Sequence, residues 1–89
     1  MRCSLVGRQY NTPSLVLTPR DTILVVRERH NQFDANALSV WAFVDAVRYH
    51  KVGYIDRRSA ALIASRVVHS ARIVTQGDPF EVPLDVEVY

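Results

Sequence analysis

Two short apolar runs constrain this chain most: Ile23-Leu24-Val25-Val26, and the stretch from Ala37 to Val44. Both are strand-like in composition and bounded by polar residues. Between them lies Arg27-Glu28-Arg29-His30-Asn31-Gln32-Phe33-Asp34-Ala35-Asn36, charged at first and then dense in turn formers. Asn and Asp side chains bond their own neighbouring backbone and so stabilise turns. A turn between two strands of a small barrel is also where a binding pocket is built. With Phe33 and Asp34 facing outward, a flat apolar ring stands beside a hydrogen-bond acceptor. That pairing suits a nucleobase beside a sugar hydroxyl.

The rest of the chain is punctuated in the same way. Cys3 to Tyr10 reads as a first strand, Asn11-Thr12-Pro13-Ser14 as a turn or loop, and Pro19-Arg20-Asp21-Thr22 as a second break. Ile23 to Arg29 reads as a strand whose apolar run is continuous enough to be buried on both faces. Ala37 to Val44 places Leu38, Val40 and Ala42 on one face and Trp41 and Phe43 on the other. Two apolar faces predict a central strand with a helix or loop over its outer side. Asp45 to Tyr49 reads as a hairpin connection and Lys51 to Ile55 as a short strand.

Asp56 is positioned to cap a helix from Arg57 to His69, in which Ala60, Ile63, Ala64 and Val67 share one face. Ala71 to Gln76 reads as a strand and Gly77-Asp78-Pro79 as a turn. The final strand alternates: Phe80, Val82, Leu84, Val86 and Val88 inward, Glu81, Asp85 and Glu87 outward. Pro83 has no N–H to give, so this strand is expected at an edge, at least locally. The fold class is mainly β with one or two helices (α+β): a compact barrel or sandwich of about six strands with a helix across it.

At 89 residues the chain is expected to form a single domain. Its hydrophobic content of 48% is that of a globular protein rather than a disordered one. No apolar stretch reaches the length of a membrane span. The opening Met1-Arg2-Cys3-Ser4 lacks a secretory signal, and one cysteine makes no internal disulfide. The expected location is intracellular: cytoplasmic, or nucleoid-associated in a bacterium. The net charge of +2 hides an asymmetry. Asp78, Glu81, Asp85 and Glu87 cluster at the end, leaving eleven basic against five acidic side chains, +6, over residues 1–77. Such a field attracts phosphates, although a solvated basic surface looks the same.

Several chemistries are missing. Gly7, Gly53 and Gly77 are the only glycines, so no phosphate-binding loop or dinucleotide fingerprint is present. His30, His50, His69 and Cys3 match no zinc spacing. No serine sits in a nucleophile elbow. Asp34 and Asp56 read as a turn aspartate and a helix cap rather than a metal pair. No catalytic residue, metal or cofactor is expected.

The residues do resemble a known family. Leu24-Val25-Val26-Arg27-Glu28, then Asn31-Gln32-Phe33-Asp34-Ala35-Asn36-Ala37-Leu38-Ser39-Val40, then Val52-Gly53-Tyr54-Ile55 are similar to the HIRAN domain pattern. Val6-Gly7-Arg8-Gln9-Tyr10 resembles the family's first strand. The likeness runs from about Leu5 to Leu62 and implies an OB-like β-barrel with small helices. A DNA-binding member of the family recognises the free 3′ end of single-stranded DNA.

The resemblance implies roles residue by residue. Asp34 matches the acid that accepts from the terminal 3′-hydroxyl. Phe33 and Tyr10 match aromatics of the pocket, and Tyr54 stands where the DNA-binding member has histidine. Arg57 matches a basic position suited to a phosphate. Gln9 replaces a family arginine, and Arg8, one residue earlier, would face the other side of a strand. Arg29 and Gln32 stand where the family has prolines. Arg29 and Lys51 are looser basic helpers.

These readings have plain structural counterparts. Asp34 and Asn36 also serve to hold the turn, Tyr10, Phe33, Tyr54 and Trp41 to pack on the barrel, and Arg57 to stay solvated. The expected function is a non-catalytic module binding single-stranded DNA at its 3′ end, with a helicase or nuclease as a possible partner. The expectation includes no membrane and no small-molecule cofactor. The alternative is a protein-interaction or assembly module using an edge strand and the apolar Trp41/Phe43 face. A metal-dependent nuclease is a third, weaker reading.

Overall fold

In the computed structural model of this chain, residues 1–11, 16–43, 46–75 and 82–89 are described, with only the backbone at Gln9. The expected turn at 12–14, the residues Val44 and Asp45, and the expected turn and strand start over 76–81 lie outside the described residues. So does the Gln9 side chain. Six antiparallel strands form one sheet: β1 (Arg2–Val6), β2 (Thr22–Arg27), β3 (Leu38–Phe43), β4 (His50–Ile55), β5 (Val68–Ile73) and β6 (Val82–Val88). The order is β2-β3-β4-β1-β6-β5, and the sheet curls until β2 and β5 meet in a nearly closed barrel. One short helix, α1 (Arg57–Leu62), completes it. Mainly β with a helix is therefore the observed class.

The inner face is apolar by alternation. Cys3 and Leu5, Leu38, Val40 and Ala42, Val52 and Ile55, Ile73, and Val82, Leu84 and Val86 are all buried, joined by Ala60 and Ile63. Asp56 caps α1 as expected: its Oδ2 accepts from the Ser59 N–H at 3.0 Å. Its Oδ1 accepts from the Ser4 N–H at 2.9 Å, so one carboxylate also pins β1 to the helix start. Among the described residues no helix is long and apolar enough to cross a membrane.

Four expectations are corrected. First, β1 ends at Val6 rather than Tyr10. Gly7, at φ 75°, turns the chain into a 3₁₀ turn, Arg8–Tyr10. The face argument about Arg8 lapses with the strand, and Arg8 is buried, at 2% exposure. Burial pushes its guanidinium below its ordinary pKa.

Second, β2 is not covered on both sides. It ends the sheet, and Leu24 and Val26 on its outer face are exposed. On the same side Trp41 is half-buried, while exposed Phe43 meets the ring of Tyr49, in the connection before β4, at 5.2 Å, so a loop rather than a helix meets that face.

Third, α1 stops at Leu62, and Val67 is exposed. The helical spacing runs on, but pairing of Val68 with Val88 draws the chain into β5. A β-branched pair at 67–68 favours that choice, and ladder formation overrides local periodicity. The strand expected from Ala71 thus begins at Val68.

Fourth, β6 is interior to the sheet, between β1 and β5. Pro83 is tolerated because its carbonyl accepts from the N–H of Val74, just past the end of β5. A strand residue's N–H and C=O point to the same neighbour, so the missing donor faces the end of a ladder.

Candidate nucleic-acid interface

The segment from Glu28 to Ala37 is folded by its own side chains. Asn31 Oδ1 accepts from the N–H groups of Phe33 and Asp34, both at 2.9 Å. Asp34 Oδ1 accepts from the Asn36 N–H at 2.9 Å. The Ala37 N–H donates to the Asp34 carbonyl, and the Glu28 N–H to the Ala37 carbonyl. These turns throw the Phe33 ring outward, 87% exposed. Beside it opens a cleft of about 290 Å³, lined by Val6, Asn31, Phe33, Asp34, Ala37, Tyr54, Ile55 and Arg57.

The second oxygen of Asp34, a residue that lines the cleft, accepts no hydrogen bond among the described residues. Its nearest cation is Arg57 Nε, 3.8 Å from Oδ2, an ion pair too long for a hydrogen bond. The Asp34 side chain keeps 21% of its surface exposed. Arg57 opens α1 and donates from Nη2 to the Phe33 carbonyl at 3.2 Å. One arginine thus clips the turn to the helix and lends positive charge to the rim.

Below the rim lies a polar network. Lys51 Nζ stands 3.0 Å from Glu28 Oε2, donates to Tyr54 Oη at 2.6 Å, and lies 4.5 Å from that ring's centre. Tyr54 in turn donates to Glu28 Oε1 at 3.1 Å, and so does Asn31 Nδ2 at 3.0 Å. Burial works against charge on Glu28. The hydrogen bonds from Asn31, Lys51 and Tyr54 outweigh it and hold the carboxyl below its ordinary pKa. Lys51 shows the mirror case: burial opposes its charge, and its bonds to Tyr54 and Glu28 raise its pKa nonetheless.

A β-bulge makes this network possible. Val40 pairs with Gly53 but Trp41 with Lys51, so Val52 is an extra residue. Strict alternation would send Lys51 and Tyr54 to opposite faces. Gly53 absorbs the insertion at φ 155°, where an added Cβ would stand 2.3 Å from the Val6 carbonyl oxygen.

Of the residues expected at the site, Phe33, Asp34, Tyr54 and Arg57 line one cleft. Tyr10 does not: it projects from the 3₁₀ turn, 85% exposed. Lys51 is engaged with Glu28. Arg29 lines a different cleft, together with Arg27. Glu28 and Asn31 were missed as site residues. Asn31 had a signal, because an Asx residue two before Phe33 is placed to bond that turn.

A family model described as the HIRAN domain matches residues 1–82. The chain belongs to the HIRAN family. A crystal structure of the HIRAN domain of human HLTF superposes on this HIRAN domain with a TM-score of 0.74 at 22% identity. The match covers 94% of this chain and 69% of that one, and confirms the OB-like barrel. A search of curated proteins yields no match.

Proposed function

We propose that this HIRAN domain binds single-stranded DNA and takes its free 3′-hydroxyl end in the cleft beside Asp34, without catalysis of its own. The observation that carries the reading is the Asp34 carboxylate. One oxygen is committed to its turn, while the other accepts no hydrogen bond among the described residues and lies 3.8 Å from Arg57, and both residues line a cleft beside an exposed ring. A carboxylate accepts from a hydroxyl and repels a terminal phosphate, so it discriminates between the two ends. Phe33 stacks on the last base, and Tyr54 walls the cleft with its ring while its hydroxyl serves the network beneath. A stacked base contributes about 1–3 kcal/mol. Arg57 offsets phosphate charge at the rim. Membership of the HIRAN family and the basic balance of residues 1–77 support a nucleic-acid ligand. A helicase or nuclease would be the natural partner for a module that holds ends. The reading as a protein-interaction module loses one of its two arguments, since the strand with Pro83 lies inside the sheet, and keeps the apolar face of Trp41 and Phe43.

Fluorescence anisotropy with matched oligonucleotides tests the proposal: a 3′-hydroxyl single strand, a 3′-phosphate single strand and a blunt duplex. The 3′-hydroxyl strand is expected to bind best. Equal binding of the two single strands by the unmutated domain rejects the role of Asp34.

A further inference from the structure

The end of β2 separates two clefts. Glu28 joins the Lys51–Tyr54 network on one side, whereas Arg27 and Arg29, one residue to either side, line the other. That second cleft, about 500 Å³, runs along the seam where β2 meets β5. It is lined by Val25, Leu38, Arg27, Arg29 and the segment from Ala64 to Val68. Three arginines, Arg27, Arg29 and Arg66, share it, and no carboxylate side chain is among its described lining residues. Arg27 is held in place: its Nη2 donates to the carbonyls of Ile63 at 3.3 Å and Arg66 at 3.1 Å. Arg66 Nε donates to the Tyr89 backbone oxygen at 2.9 Å. Arg29 is exposed and, among the described residues, makes no side-chain bond. The carbonyl partners of Arg27 orient its guanidinium without cancelling its charge, whereas the oxygen that Arg66 holds belongs to Tyr89, the last residue of the sequence. The cleft is therefore a cationic recess in which Arg29 keeps its charge unshared, with Ser65 as a further polar group.

We infer that this recess takes a phosphodiester group of bound nucleic acid, with Arg29 and Arg66 as ligands and Arg27 as a positioning residue. The inference rests on the nucleic-acid reading above and extends it beyond the terminal nucleotide. The two clefts lie at opposite ends of α1. Arg57 is its first residue, and Ala64 to Arg66 follow its last turn. Six helical residues rise about 9 Å, so a strand anchored at Asp34 has a second phosphate site within reach on the far side. OB-folds engage roughly 4–16 nucleotides, far more than one terminal pocket holds. The phosphate comes either from the same strand upstream or from the complementary strand behind a 3′ overhang.

Binding of a dinucleotide, a decanucleotide and a duplex with a short 3′ overhang, each ending in a 3′-hydroxyl and measured at several salt concentrations, tests this. Arg29→Gln is expected to leave the dinucleotide unaffected and to weaken a longer probe about tenfold. Its salt slope for that probe falls by about 0.7 for each phosphate that is no longer neutralised. Arg29→Lys retains the slope. Weakening on the decanucleotide assigns the phosphate to the same strand, and weakening confined to the overhang duplex assigns it to the complement. Arg29 is exposed, so an unchanged melting temperature verifies the fold, and Arg66→Gln gives an independent second reading. Arg29→Gln and Arg66→Gln variants that bind every probe with unchanged slope overturn the inference. So does equal weakening of the dinucleotide, which would put Arg29 in the terminal cleft. An unmutated domain with an Arg29-dependent slope but no 3′-hydroxyl preference retires the terminal reading and keeps this one. Failure to bind any probe retires both.

Discussion

On the proposed reading Asp34 divides its carboxylate between structure and recognition, and the two uses separate under mutation. Asn keeps an acceptor for the Asn36 N–H and is itself a good turn residue, but presents no anion. Asp34→Asn is therefore expected to fold normally and to lose the preference for a 3′-hydroxyl over a 3′-phosphate, about ten- to a hundredfold. Anisotropy on the two matched strands measures it; a preference retained in full would move the discrimination to another residue. Tyr54 separates in the opposite way. Its hydroxyl belongs to the Glu28–Lys51 network and its ring to the cleft. Tyr54→Phe is expected to cost about 1 kcal/mol of stability in thermal unfolding while leaving DNA affinity nearly intact. An affinity loss exceeding the stability loss would show the hydroxyl in contact with the ligand.

Among the elements, the bulge in β4 matters most. Short-range patterning correctly placed β3, β4 and the Asp56 cap, because each depends on neighbours within a few residues. It misplaced the end of α1, because Val68 pairs with a residue twenty positions away. It read Pro83 as the mark of an edge, which holds only locally, where Pro83 meets the end of the β5 ladder; β6 as a whole lies inside the sheet. Gly53 is the element-scale test. An added methyl would meet the Val6 carbonyl at 2.3 Å and Leu5 Cδ1 at 2.9 Å, on a backbone angle that side chains disfavour. Gly53→Ala is expected to lose about 3 kcal/mol or more by chemical denaturation. The loss comes from separating β1 from β4 and from dispersing the Lys51–Tyr54 pair. A change under about 1 kcal/mol would mean that the bulge relaxes without consequence.

The whole molecule registers its half-buried charges as pH dependence. Asp56 resembles Glu28: burial opposes its charge, but hydrogen bonds from the Ser4 and Ser59 backbone and the Ser59 side chain hold its pKa below the ordinary value. A carboxyl depressed by folding contributes stability above its unfolded pKa and loses it as pH falls through the folded value. Stability is therefore expected to be flat near neutrality and to decline on the acid side below about pH 4.5. Lys51, whose pKa folding raises, adds stability that is complete below its unfolded value and is lost as pH rises through the folded one. Denaturant midpoints across pH measure both limbs. The variants Glu28→Gln and Asp56→Ala are each expected to flatten the acid limb, and a limb parallel to that of the unmutated chain would exclude the residue concerned. Asp56→Ala also loses the cap, about 1–2 kcal/mol at neutral pH.

The amino-acid order alone determined what depends on near neighbours: the alternation that buries one face of each strand, the Asx turns that expose Phe33, and the charge asymmetry. The close match of the Asn31-to-Val40 segment to a family pattern belongs with these, since it is carried by contiguous residues. Tertiary structure alone decided which side chains share a cleft. A single extra residue at Val52 brings Lys51 onto the face of Tyr54, and the meeting of β2 with β5 gathers Arg27, Arg29 and Arg66 from distant parts of the chain. The reason is the two-residue period of a strand. One inserted residue reverses every face beyond it, and its position is set by the partner strand rather than by the residues that flank it.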